Sequence, residues 1–452
     1  MRLTAFRLLV ASSLLLATLA LAGTRPHYGG TLHIAMRAAP VSLDPAQLDG
    51  IAARNVFPLV FETLTTFDRR GQVIPWLATS WEAESGDQRW QLSLRPGVTF
   101  SDGTPVTSDA VAASLRAANP SWKVVSANNK VTIERDSSSP ELPAELALPR
   151  NSIVKRDGGR ILGTGPFTVS QWEPGRKLIL ITREDYWSGR PFLDSIEIEL
   201  GRSLRDQMIA FDLGKEQIVD VAPELAHSAA AQGRHIESSY PVELIALVFS
   251  KDPQSPDDAR QREALSLSVD RKLLNTVLVQ DAGEPCGGLL PTWMTGYGVV
   301  FPTDINLTRA QQERAEIARA SLWSLGFDAN DPMQRVIAER IVLNAGEAGL
   351  RLQLAGSGAA DLRLVRISLA APEPHVALCE LFSALGFPQP KFGGDSLEEL
   401  YAAESSLLQS KRVIPLLHLR SAAAVSEQVK GWSERPDGAW RLADVWLSAE
   451  KP

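Results

Sequence analysis

Residues able to attack a bond or hold a metal are few and widely spaced. His375 and Cys379 stand at i, i+4, which puts an imidazole and a thiol on one face of a helix. Two ligands flanked by Pro372 and Pro374 fall short of the three or four that a zinc ion takes. The one other thiol is Cys286. With Cys379 it forms either a disulfide, if the Cα atoms lie within about 7 Å, or a pair of buried small apolar side chains. The six histidines are scattered, and a lone histidine is more often a structural or surface residue than a general base. No H-E-x-x-H, G-x-S-x-G, phosphate-binding P-loop or paired C-x-x-C occurs, and Gly356-x-Gly358 lacks the third glycine of a dinucleotide turn. The expectation is a protein without covalent chemistry, catalytic residues, metal or cofactor.

Composition bounds the remaining possibilities. The chain has 452 residues, 44% hydrophobic and 22% charged, enough for two or three cores. Its 32 glycines and 29 prolines follow no collagen-like period and no charge block appears, so fibrous or disordered structure is excluded. The net charge is −7, and the basic residues gather in nothing longer than pairs such as Arg69-Arg70 and Lys411-Arg412. A nucleic-acid binder or a polybasic membrane patch needs a concentrated positive face, and neither is expected.

The N-terminus reads as a secretory signal over residues 1–22. Arg2 and Arg7 precede an apolar run from Leu8 to Leu21, and Ala20-Leu21-Ala22 supplies the small-x-small cleavage pattern. Thr24 stands where a lipidated cysteine would follow, so a free periplasmic protein is expected rather than an anchored one. No later stretch approaches about 18 apolar residues, so the mature chain is not expected to span a membrane.

Beyond the signal, helical and strand periods alternate. Thr31–Met36, Gln88–Leu94, Phe167–Gln171, Lys177–Thr182 and Ser195–Leu200 alternate as strands. Residues 51–66 and Asp109–Ala118 read as helices, the second capped by Thr107 or Ser108. Asp258–Leu278 is the clearest helical region, followed by Arg309–Leu325 and Asp331–Ala348. Short strands at Arg351–Leu354 and Asp361–Ile367 and a helix near Val376–Leu385 complete the pattern. The fold class is α/β, with the Pro/Ser-rich segments 136–143 and 252–258 as expected crossings between lobes.

Several of these segments together resemble one family. They are Gly30-Thr31-Leu32 with Ser42-Leu43-Asp44-Pro45, Val60-Phe61-Glu62-Thr63-Leu64, Pro75-Trp76-Leu77-Ala78-Thr79-Ser80-Trp81, and the turn-rich Leu94 to Val106. Gly163-Thr164-Gly165-Pro166-Phe167, Tyr186-Trp187 with Leu193-Asp194, and Arg262-Glu263-Ala264-Leu265 with Val269-Asp270-Arg271 follow in order. The set resembles the extracytoplasmic solute-binding proteins of peptide, dipeptide and nickel ABC importers, family 5, from residue 30 to about 290 and more loosely beyond 310.

The resemblance implies a periplasmic-binding-protein-like (type II) clamp of two α/β lobes with an additional inserted lobe. Lobe I would comprise 23–60, 161–252 and 431–452, lobe II the insert 61–160, and lobe III 253–430. It further implies a monomer that captures a peptide or other small solute between lobes I and III and delivers it to an inner-membrane ABC permease. Gly97, Gly103, Gly163 and Gly165 are read as turn residues, and Trp81, Trp90, Trp172 and Trp187 as core.

For ligand contact, Asp49-Gly50-Ile51 matches the loop that pairs with a bound peptide's main chain in oligopeptide-binding relatives, and the loop holding Cys286 is placed at the cleft mouth. The informative position is a departure. Where peptide-binding relatives carry a tryptophan, an ammonium-binding aspartate and an Asp-Pro, this chain has Ile367, Ala370 and Glu373-Pro374. Without its carboxylate a buried ammonium is unpaired, so a free-amine peptide should bind poorly unless Glu373 substitutes. Segments 116–160 and 325–335 are also abbreviated. The alternative reading is a degenerate relative acting as a periplasmic sensor, chaperone or assembly partner, with an enzyme third.

Overall fold

Strands with apolar residues on both faces form the centre of the molecule. The computed structural model describes residues 25–40, 42–47, 50–84, 86–433 and 438–448, with side chains at all of these but 50–53. The signal segment lies outside the described residues. Thr31–Ala35 runs parallel to Ser195–Glu199 on one side and to Ile218–Val221 on the other. Lys177–Thr182 and Phe167–Glu173 extend this half antiparallel, giving the expected meander. Past Ile218–Val221 the same sheet continues through Val413–Val425, Ile236–Phe249, Leu362–Ser368, Leu322–Gly326 and Arg351–Gly356.

Two of these strands belong to both halves. At one end Ile236–Ser238 pairs with Ala422–Ala424, next to Ile218–Val221; at the other Leu244–Val248 pairs with Val413–His418, next to Leu362–Ser368. The ladder slips between Ser238 and Pro241, again between Pro241 and Glu243, and once more between Ile245 and Ala246. Proline has no N–H to give a ladder, so Pro241 at such a break is where a long strand tolerates one.

Alternation along the second half sends residues to two cores. Ile245, Leu247 and Phe249 join Ala264, Leu265, Ile337 and Ile341. Leu244 and Ala246 face the other way, toward Leu378, Leu381, Leu400 and Leu407. Four helices over these faces have a side-chain start signal: Ser255 accepts from Asp258 N, Asp331 from Met333 N and Gln334 N, Glu373 from His375 N and Val376 N, and Ser396 from Glu399 N.

The structure corrects three expectations here. Helical region 258–278 is broken, because Val269 is extended and Asp270 caps a new turn by accepting from Leu273 N. The helix expected at 309–325 ends at Ala315, and Leu322–Gly326 is a strand whose buried Trp323 and Leu325 alternate with Leu322 and Ser324. It lies parallel to Arg351–Gly356, with helix Pro332–Glu347 as the crossover. Segments 136–143 and 252–258 do not cross between cores. The first joins Ile133 to Leu142 within one cluster, and the second joins Phe249 to Ala264 within another.

The insert has its own four-stranded antiparallel sheet, ordered Ala78–Ala83, Arg89–Leu94, Lys130–Glu134, Lys123–Ala127. Helix Ser108–Ala118, capped by Thr107, lays Val111 and Leu115 against Leu92, Val131 and Ile133. Gly97 and Gly103 have φ of +78° and +80°, as turn glycines should. Gly163 and Gly165 serve otherwise: a Cβ on them would lie 2.0 Å from Val60 O and 2.6 Å from Leu59 O, so they admit a close backbone approach rather than a turn. Trp90 is buried in the insert's core, and Trp81 and Trp187 pack against it. Trp172 packs against the core of the first half-sheet.

Candidate ligand-binding site

Three parts of the molecule converge on the segment after strand Leu362–Ser368. Helix Gly50–Val60 belongs to the first half-sheet, and its Arg54, 5% exposed, donates to Leu369 O. Arg37 reaches across as well, Nη2 donating to Asn330 O at 3.2 Å. The insert meets the same segment through an apolar contact: Ala371 and Val376 cluster with Phe67, Ala144 and Leu148, with Val73, Ala147 and Ala370 packed alongside. Arg150 then pairs with Glu380 at 2.6 Å. Between these surfaces remains a cavity of about 150 Å³, lined by Arg135, Glu141 and Arg150 of the insert and by Cys379, Glu380 and Lys391 opposite.

Charge is concentrated beside the register break. Arg366 Nε donates to Glu243 Oε2 at 2.7 Å, Ser368 Oγ donates to Glu243 Oε1 at 3.2 Å, and Asp331 lies 3.5 Å from Arg366 Nη1. Burial works against the guanidinium's charge, but the carboxylates of Glu243 and Asp331 outweigh it and hold Arg366 above its usual range. Asp220, across the junction, accepts from Arg37 N at 2.7 Å. Burial, and the Glu243 charge with it, pushes its carboxyl up to about 6.

The residues singled out from the sequence fall in different surroundings. Asp49 lies outside the described residues, while Gly50 and Ile51 begin helix Gly50–Val60. Ile367 and Cys286 share one apolar cluster with Leu244, Leu289 and Leu378. Ala370 packs against the insert-facing cluster. Glu373 caps helix Pro374–Ala384, one oxygen accepting from His375 N and the other from Val376 N, and its Oε1 also lies 3.0 Å from His375 Nδ1. Asp395 Oδ1 is 3.3 Å from the same nitrogen. Cys286 and Cys379 are both free thiols, and burial pushes Cys379 up to about 12.

Sequence reading passed over a second cavity, of about 410 Å³, between the insert and the first half-sheet. Helix Gly50–Val60, the hairpin Thr65–Pro75, the loop after Tyr186 and the segment from Trp440 enclose it. On its wall Glu62, 4% exposed, accepts from Trp76 Nε1 and Tyr186 Oη at 2.7 Å each and from Trp187 Nε1 at 3.1 Å. Burial raises the Glu62 carboxyl, and the three donors offset part of that rise. The signal was present in Val60-Phe61-Glu62-Thr63-Leu64 and Tyr186-Trp187, but their meeting is a tertiary event.

Comparison with known proteins accounts for this architecture. The model of the bacterial extracellular solute-binding proteins, family 5 (middle region), matches residues 72–364. The chain belongs to this family. It is similar to the probable D,D-dipeptide-binding periplasmic protein of Escherichia coli (strain K12), 24% identical over 369 residues covering 74% of this chain and 71% of the relative. The nickel-binding periplasmic protein of the same strain is 26% identical over 270 residues, 52% of each chain. Among solved structures, NikA from Staphylococcus aureus in complex with Ni(L-His)2 superposes with TM-score 0.79 at 16% identity, over 92% of this chain and 100% of that one. The Escherichia coli murein tripeptide binding protein MppA gives TM-score 0.79 at 16% identity, over 93% and 99%. At that identity the structures establish the fold, an α/β periplasmic-binding-protein architecture. Among the described residues no helix is long and apolar enough to cross a membrane.

Proposed function

We propose that the protein works in the periplasm as a monomeric binding component of an ABC importer, capturing a small solute between lobes I and III and passing it to an inner-membrane permease. It carries out no covalent chemistry in this reading. The observation that carries it is the pair of strands Ile236–Phe249 and Val413–Val425, which join the two half-sheets through a ladder broken at Pro241. Two rigid sheets joined at such a place form a clamp able to open and close. Gly50 and Ile51, two of the residues singled out for ligand contact, begin the helix whose Arg54 already spans the junction.

The carboxylates near Ala370 bear on the solute class. Ala370 offers none, and both Glu373 oxygens are engaged by backbone N–H groups of its own helix. A free-amine peptide therefore has no dedicated partner at this position, and a solute without a buried ammonium fits better. Protein purified from periplasm without denaturation should carry such a molecule, released as the difference between native and denatured masses. A solute at a hundredfold excess over Kd should add about 2.7 kcal/mol of stability. An empty protein that no solute pool stabilises would defeat the reading.

One observation favours a second reading, a sensor or assembly partner that binds no solute. The apolar contact of Ala371 and Val376 with Phe67, Ala144 and Leu148 joins the insert to the second half-sheet through side chains of the protein itself. That reading expects a co-purifying protein and no retained small molecule.

A further inference from the structure

The cavity of about 410 Å³ takes no lining residue from 236–430, although it shares Arg54 with the junction described above. Its volume falls in the range of about 300–1,000 Å³ typical of small-molecule sites. The walls combine polar groups with aromatic side chains that include Phe57, Phe61, Phe67, Trp76, Phe192 and Trp440. Most charged groups on the wall are engaged. Glu62 holds three donors, and Arg190 pairs with Glu184 and Asp194.

Asn55 differs. It is 1% exposed and lines the cavity, and its Oδ1 accepts from Trp440 N at 3.0 Å. That bond fixes the amide orientation, because a flipped Asn55 would set its N–H2 against the Trp440 N–H. The Nδ2 group is thereby left as a buried donor without a partner. A buried amide N–H without an acceptor is costly, and sites of this kind are completed by a ligand or an ordered water.

We propose that this cavity is a second binding site, for an uncharged aromatic compound with a carbonyl oxygen that accepts from Asn55 Nδ2. The aromatic side chains take the ring by stacking and edge contacts, and the other charged residues of the wall also have protein partners, Arg54 donating to Leu369 O and Arg441 lying 3.8 Å from Asp444, which disfavours an ionic ligand. The site stands whether or not a solute is carried between lobes I and III.

The test uses the mature protein and 6-propionyl-2-(dimethylamino)naphthalene, an uncharged aryl ketone whose emission shifts on leaving water. Saturable one-to-one binding with energy transfer from tryptophan is expected. Ile74→Trp fills the cavity from the hairpin, and Asn55→Asp keeps the acceptor for Trp440 N while replacing the donor by a carboxylate. Each should weaken binding at least tenfold. Circular dichroism confirms folding, and Thr66→Trp replaces Ile74→Trp if the latter does not fold. Absence of saturable binding, or affinity within twofold of the parent in either folded variant, overturns the proposal.

Discussion

Arg366 and Glu243 are joined side chain to side chain at 2.7 Å on neighbouring strands, immediately past the register break at Pro241. The pair ties Ile236–Phe249 to Leu362–Ser368 across a regular ladder, beside the slipped ladder to Val413–Val425. Glu243 is 6% exposed, so Glu243→Ala strands a largely buried guanidinium beside Asp331 alone. A loss of about 3 kcal/mol is expected in urea unfolding, and the double variant with Arg366→Ala should cost less than the sum of the single changes. Additive losses would show that the two side chains do not act together.

Close approach at Gly163 gives a sharper test. Gly163→Ala places a Cβ 2.0 Å from Val60 O, whereas at Gly103 nothing lies within 4 Å and only the positive φ resists a side chain. Gly163→Ala should cost more than 3 kcal/mol or prevent folding, against about 1–2 kcal/mol for Gly103→Ala. Chemical denaturation of the two proteins side by side decides it, and equal losses would remove the backbone contact as the cause.

Ala370 lies against the insert-facing cluster of Phe67, Ala144 and Leu148. Ala370→Trp introduces a wedge into that contact, and small-angle scattering should report a larger radius of gyration than the parent with unfolding still cooperative. An unchanged radius would mean that this apolar contact does not hold the insert and the second half-sheet together.

His418 is 3% exposed, and its Nε2–H donates to Leu289 O at 2.9 Å. Burial pushes the imidazole down to about 4 from an ordinary 6.5. Between those values the unfolded chain binds a proton that the folded one refuses, so this residue's contribution is present above pH 6.5 and is lost as pH falls toward 4. The change is on the order of 3 kcal/mol. Asp220, pushed up to about 6, has the opposite sign and favours the folded state as pH falls through that window. The two are separated by comparing the parent with His418→Leu, which should lose less stability between pH 6.5 and 4. Parallel pH profiles would refute the assignment.

Cys286 and Cys379 are both free, so a thiol reagent applied without reductant should find two reactive groups per denatured chain. A disulfide would leave none. In the folded protein Cys286 should react slowly, since burial raises its thiol and closes it to solvent.

Legibility in the sequence followed the range of the forces involved. Thr107 as a cap, the strand Arg89–Leu94 and the meander from Phe167 were readable because capping and period-2 burial are local. Val413–Val425 was missed. It runs through the middle of the sheet and is buried on both faces, so it shows a continuous apolar stretch in place of alternation, with Pro415 at a slip in the ladder. Helix Leu397–Gln409 was missed as well, although Ser396 caps it by accepting from Glu399 N. The site suffered more than the fold. Glu62, Trp76 and Tyr186 are spread along the chain, and only folding unites them on one cavity wall. Asn55 carries no motif at all, and its unpaired donor is visible only once Trp440 N is seen to occupy its acceptor.

The unbroken sheet sets a limit on how far the two halves can part. In the proposed clamp the hydrogen bonds between Ile236–Phe249 and Val413–Val425 would resist shear and concentrate flexing near the slips at 238–243. Such a part would act as a leaf spring with a pre-cut fold line, compliant in one direction and stiff in twist. Replacing Pro241 would restore an N–H, but the extra residues that set the slips would remain, so the crease belongs to the lengths of the two strands rather than to one side chain.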